Sequence, residues 1–154
     1  MNCQYIEHIT GLLKIINKND YTFKNEILSN YSIGAHVRHS IEMYTCVIDN
    51  YNNGEINYGL RKRDIELETS PSKATEVLIY IDNSLSRKDK FLTVIDENRI
   101  IPSSYFREIL YCNEHLVHHL ALIKISLGNF PYYQVSDEFG VARSTLQYQK
   151  SCVR

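Results

Sequence analysis

Five of the six histidines in this 154-residue chain fall in two groups, His36 with His39, and His115 with His118 and His119. The groups are far apart in sequence, and each sits inside a stretch whose apolar residues recur at helical spacing. Val37, Ile41, Leu116, Leu120 and Leu122 flank them. Several imidazoles half-buried among such neighbours are poorly satisfied unless they share a hydrogen-bond network or an ion. If the two helices pack together, the groups converge on one point.

The periodicity and punctuation predict four helices. The first covers about residues 2–17, with Ile6, Ile9, Leu12, Leu13 and Ile16 inward, and Asn17 to Asp20 ends it. A short turn or helix over 21–29 follows. Ser32 is the expected N-cap of a second helix over 33–51, stopped by Asn52-Asn53-Gly54. Residues 55–70 form a charged connection too long for a hairpin loop. Pro71 opens a third helix to about residue 87, with Val77, Leu78, Ile81 and Leu85 inward. Residues 91–95 and 99–101 are β-like runs around Asp96-Glu97-Asn98, a small hairpin. Ser103 or Ser104 then caps a fourth helix to about residue 127, ended by Gly128 to Pro131. The expected fold is all-α: a single-domain antiparallel four-helix bundle over 1–154. It has a long crossover between helices two and three, and residues 128–154 form a tail on the bundle.

His115 and His119 are four residues apart, about 40° around a helix, so both rings can reach one ion. His39 on the second helix supplies a third ligand. Three protein ligands leave a position open, which marks catalytic rather than structural metal sites. His36 and His118 each lie three residues from a proposed ligand, within reach of the same cavity, and Glu42 lies three beyond His39. These three are candidates for proton transfer, for orienting a ligand, or, for the two histidines, for alternative ligation. Cys112, three before His115, is a further residue that can face the cavity. His8 stands alone and reads as a surface or hydrogen-bonded residue.

At these residues the chain resembles a known family. The run SIGAHVRHSIE, from Ser32 to Glu42, looks like the second-helix motif of the DinB-like (YfiT-like) metal-dependent proteins, where a histidine follows a glycine by five residues; here these are Gly34 and His39. The run EHLVHHLALI, from Glu114 to Ile123, looks like the family's last-helix motif, whose histidines four apart correspond to His115 and His119. The resemblance extends in order over about residues 1–127. It implies a four-helix bundle holding a divalent metal, zinc or nickel, through three histidines; characterised relatives include thiol-dependent S-transferases and an isomerase. Leu120-Ala121 departs from the Arg-Gly that many relatives carry after the last histidine.

The remaining features narrow the functional classes. A net charge of −1 provides no field that would favour nucleic acid or an anionic membrane surface. No apolar run approaches membrane-spanning length and the N-terminal run has no signal-peptide core, so a cytoplasmic location is the default expectation. Cys3, Cys46, Cys112 and Cys152 are scattered, which argues for reduced thiols rather than a zinc ribbon or disulfide framework. The run from Val135 to Leu146 reads like the turn and recognition helix of a helix-turn-helix. However, Phe130-Pro131-Tyr132-Tyr133 stands where a supporting helix belongs, and only Arg143, Lys150 and Arg154 are basic. The expectation is therefore a metal-dependent enzyme acting on a small molecule, a thiol among the candidates, with a homodimer compatible with the fold. The competing class is a non-catalytic metal-binding or interaction module.

Overall fold

The computed structural model describes residues 4–152, so the start of the expected first helix, Cys3 and Arg154 lie outside the described residues. Apolar spacing makes α1 (Gln4–Leu13), which buries Tyr5, Ile6, Ile9, Leu12 and Leu13. It ends before the periodicity does because Asn17 is a cap rather than a terminator. Its side chain accepts from the Asp20 backbone N–H at 3.0 Å and starts α2 (Lys18–Thr22). Ser32 caps α3 (Ile33–Asp49), accepting from Ala35 N–H at 3.0 Å. Short α4 (Glu66–Thr69) precedes α5 (Pro71–Ser84), where Ser70 caps and Pro71 fills the first turn without a lost donor. Ser104 caps the longest helix, α6 (Tyr105–Ser126).

The all-α antiparallel four-helix bundle does not form. Among the described residues the chain folds into seven α-helices and a three-stranded mixed sheet. The four expected helices exist as α1, α3, α5 and α6; α3 packs on α5 and α6, and α1 packs on the same two. The departure lies in the crossover. Glu55 and Ile56 form β1 (Glu55–Ile56), which pairs in parallel with β2 (Phe91–Asp96) through Glu55–Thr93 and Ile56–Val94. The expected hairpin then adds β3 (Arg99–Ser104) antiparallel to β2, its turn held by Glu97 at φ +51°. Ile56 and Leu92 are fully buried and key the sheet into the helical core. A strand of two residues has no alternation to detect, so periodicity could not reveal it.

The crossover is tied down by one buried carboxylate. Glu108, in the first turn of α6 and fully enclosed, accepts from Ser103 Oγ of β3 at 2.5 Å and from the Tyr58 hydroxyl at 2.6 Å. Arg107 Nη1 donates to it at 2.8 Å. A buried charge with three donors is satisfied where a bare one would be costly. Beyond α6, Phe130 and Phe139 fold back onto the core, Phe139 stacking on His8 with ring centroids 6.0 Å apart, and Gly140 packs against the Ala121 backbone. The helix-turn-helix-like run thus buries Phe139 in the fold, and the terminal α7 (Arg143–Cys152) buries no side chain. No described helix is long and apolar enough to cross a membrane.

Gly34 lets α4 approach α3. A Cβ there would run into the Glu68 carbonyl and come within 2.9 Å of the Tyr21 ring, whereas a Cβ on Gly11 of α1 meets nothing within 4 Å. The two glycines should therefore respond oppositely to alanine. We expect Gly34→Ala to lower unfolding free energy in urea by about 1–3 kcal/mol through overpacking. Gly11→Ala should raise it by about 0.5–1 kcal/mol. Equal effects would contradict the close contact of α3 and α4.

Candidate metal centre

Ser32 caps the start of α3, one turn before His36. His36 and His39, three apart, look toward α6, where His115 and His119, four apart, look back. His39 Nε2 lies 2.8 Å from His115 Nε2, and His119 Nε2 lies 3.0 Å from the same atom. One ring nitrogen from each of His39, His115 and His119 falls within 4.8 Å of the others, close enough to hold a metal ion. His119 is buried and the other two are half-buried. One turn further along the interface the Tyr44 hydroxyl donates to Asn113 Oδ1 at 2.7 Å, fixing α3 against α6.

The electrostatics suit ligation. Burial, then the Arg61 charge and the neighbouring imidazoles, push His39 down to about 4. Burial and the surrounding histidines push His119 down to about 3. Burial, followed by His118, lowers His36 and His115 as well. All four rings are neutral near pH 7, the form whose lone pair binds a metal. The donor set of three imidazoles is that of zinc-type sites with an open position.

The other predicted residues separate by role. His36 Nδ1 sits 2.8 Å from His119 Nδ1, so it contacts the His119 ring from behind, while its Nε2 is buried without a hydrogen-bond partner. His118 is exposed, its ring 5.3 Å from that of His119, and stands at the rim rather than in the cluster. Glu42 is buried but touches no imidazole; it accepts from the Asp64 N–H at 3.0 Å and pairs with Arg38 at 3.6 Å and Arg61 at 3.5 Å. Cys112 is buried beside Tyr58, whose phenol is held protonated by burial, by that thiol and by Glu108. His8 lies on α1 against Phe139, apart from the cluster.

Two arginines complete the site. Arg61 Nη2 donates to His39 Nδ1 at 3.0 Å, and its Nη1 donates to the Tyr58 carbonyl at 2.7 Å. Arg38 pairs with Glu68 at 3.2 Å. The only advance signal was the charge of the long crossover, which says nothing about where Arg61 lands; Arg38 and Glu42, four apart, could have been read as a helical ion pair. A recess of about 190 Å³, lined by Tyr31, Ala35, His36, Arg38, His39 and His119, opens onto the histidines.

No family model and no solved structure matches the chain. It is similar to FK506-binding protein 5 of Rhizopus delemar, 33% identical over 110 residues. The match covers 62% of this chain and spans 28% of that protein's length.

Buried neutral histidines make stability depend on pH in one direction. An unfolded histidine takes up a proton below about pH 6.5, whereas His39 and His119 resist until about 4 and about 3. The unfolded state therefore binds more protons in that window, and stability falls as pH drops from 6.5. Chelator-treated protein should melt at a lower temperature at pH 5 than at pH 7.5. His119→Gln should shrink that difference; a melting temperature indifferent to pH across this range would show that the rings are not held neutral.

Proposed function

We propose that this protein is a metal-dependent enzyme, with His39, His115 and His119 holding a divalent ion at the mouth of the recess and a small molecule as substrate. The observation that carries the reading is the convergence of three neutral imidazole nitrogens from two helices beside an open recess. A divalent ion bound there supplies Lewis acidity, lowering the pKa of a water or a substrate thiol enough to make a nucleophile near neutral pH. Hydrolysis and thiol transfer are the two reaction classes this chemistry serves, and zinc or nickel are the metals that the DinB-like resemblance implies. Kinship with that family is part of the proposal and rests on the spacing of the two histidine motifs.

The chain's own residues divide the remaining work. His36 lines the recess beside His119 and is the imidazole that serves in proton transfer. Its Nδ1 contact orients the His119 ring. Glu42 acts through the arginines it holds, and His118 serves at the rim. The match to FK506-binding protein 5 covers too little of that protein to lend its named binding property to this chain. A non-catalytic role, in which the ion staples α3 to α6, is favoured by the placement of the ligands on both helices.

Elemental analysis of purified protein tests the centre. The wild type should carry about one equivalent of zinc or nickel, and His39→Ala and His119→Ala should each lose most of it while retaining helical circular dichroism. Metal content unchanged in both variants would overturn the site. Cobalt-substituted protein then separates the two roles: a visible spectrum that changes on adding a small thiol supports an open, catalytic position, and an unresponsive spectrum supports the staple.

A further inference from the structure

The contact between Arg61 and His39 makes a demand that a metal ion opposes. A guanidinium offers only donors and stays protonated at any ordinary pH. When Arg61 Nη2 donates to His39 Nδ1 at 3.0 Å, that nitrogen must be the acceptor, which excludes the imidazolium and leaves the ring proton on Nε2. Nε2 is the atom that faces His115 Nε2 at 2.8 Å, at the focus of the centre. Ligation through Nε2 needs its lone pair and moves the proton to Nδ1, toward an arginine that cannot accept it.

The surroundings hold the alternative arrangement half-made. Arg61 Nε and Glu42 Oε2 face each other at 3.5 Å, and both atoms are buried without a hydrogen bond. Unsatisfied buried polar atoms are costly, more so when charged. A shift of roughly half an ångström brings that pair to ordinary hydrogen-bond distance. Meanwhile Nη1 keeps its 2.7 Å bond to the Tyr58 carbonyl, in the turn that Glu108 anchors. The guanidinium can therefore pivot from His39 to Glu42 without the crossover letting go.

We propose that Arg61 is a positioning residue that selects the tautomer of His39 and competes with the metal for it, so that loading the centre moves Arg61 from His39 Nδ1 onto Glu42 Oε2. This rests on the reading of the three histidines as a metal centre. It makes metal affinity a property of the crossover as well as of the three ligands.

Two measurements test it. Nitrogen-resolved imidazole NMR of chelator-treated wild type should find the His39 proton on Nε2; finding it on Nδ1 overturns the proposal. Zinc affinity, read by competition with a chromophoric chelator, should then be compared for wild type, Arg61→Gln and Arg61→Lys. Glutamine offers a carbonyl that accepts from Nδ1–H, so Arg61→Gln should bind zinc roughly 10- to 100-fold more tightly, the usual scale for a group behind a ligand. Lysine has only donors, and Arg61→Lys should stay near wild type. Arg61→Gln binding no more tightly than wild type overturns the competition while leaving the centre intact. No zinc bound by any of the three overturns the centre itself and the competition with it. The wild-type NMR decides the tautomer even where a variant fails to fold.

Discussion

Helices α3 and α6 meet along faces in which apolar side chains flank imidazoles, and the remainder of the site is arranged around that contact. Val37, Ile41, Leu116 and Leu120 supply the buried area that holds the pair together. The same dry environment strips the histidines of charge. Burial is the largest influence on His36, His39, His115 and His119 alike. Packing and chemistry are thus a single effect here: the apolar neighbours that drive the helices together also make the rings neutral donors.

The crossover gives this interface its second function. A plain loop between two helices would leave the open side of the histidine cluster to solvent. Instead β1 pairs with β2, the Tyr58 hydroxyl donates to buried Glu108, and the residues after Tyr58 bring Arg61 against His39. Glu108 and His115 are seven residues apart, two turns of the same helix. One helix therefore carries both a histidine of the cluster, His115, and the anchor of the segment that contacts His39 on its neighbour. Glu42, which sequence spacing places near an imidazole, works at one remove by holding Arg38 and Arg61.

Much of the helical scaffold was legible because helix signals are local. Ser32 and Ser104 cap helices where their side chains can reach the third N–H, and Pro71 opens α5. The hairpin around Glu97 was legible for the same reason. The features that escaped depend on partners distant in sequence. The Asn17 turn is braced by Tyr133, more than a hundred residues away in the chain, whose hydroxyl accepts from Asn17 Nδ2 and donates to Asp20 Oδ2. Ile56 is a strand residue only because Val94 lies beside it. Arg61 looked like one more charge in a polar connection, since nothing in its neighbours records that His39 waits across the fold.

The sequence by itself determined which side chains share a helix face: i,i+3 and i,i+4 spacing put His36 beside His39 and His115 beside His119 whatever the chain does elsewhere. It thereby named the three residues whose ring nitrogens converge closely enough to hold a metal ion. Only the tertiary structure decided that the fold carries a mixed sheet rather than four helices alone, that His118 points outward while His36 backs His119, and that an arginine stands behind His39. The physical reason is range. Helical geometry is set within a few residues, whereas strand pairing, burial and the hydrogen bond of Arg61 to His39 join segments whose proximity depends on the packing of the whole core.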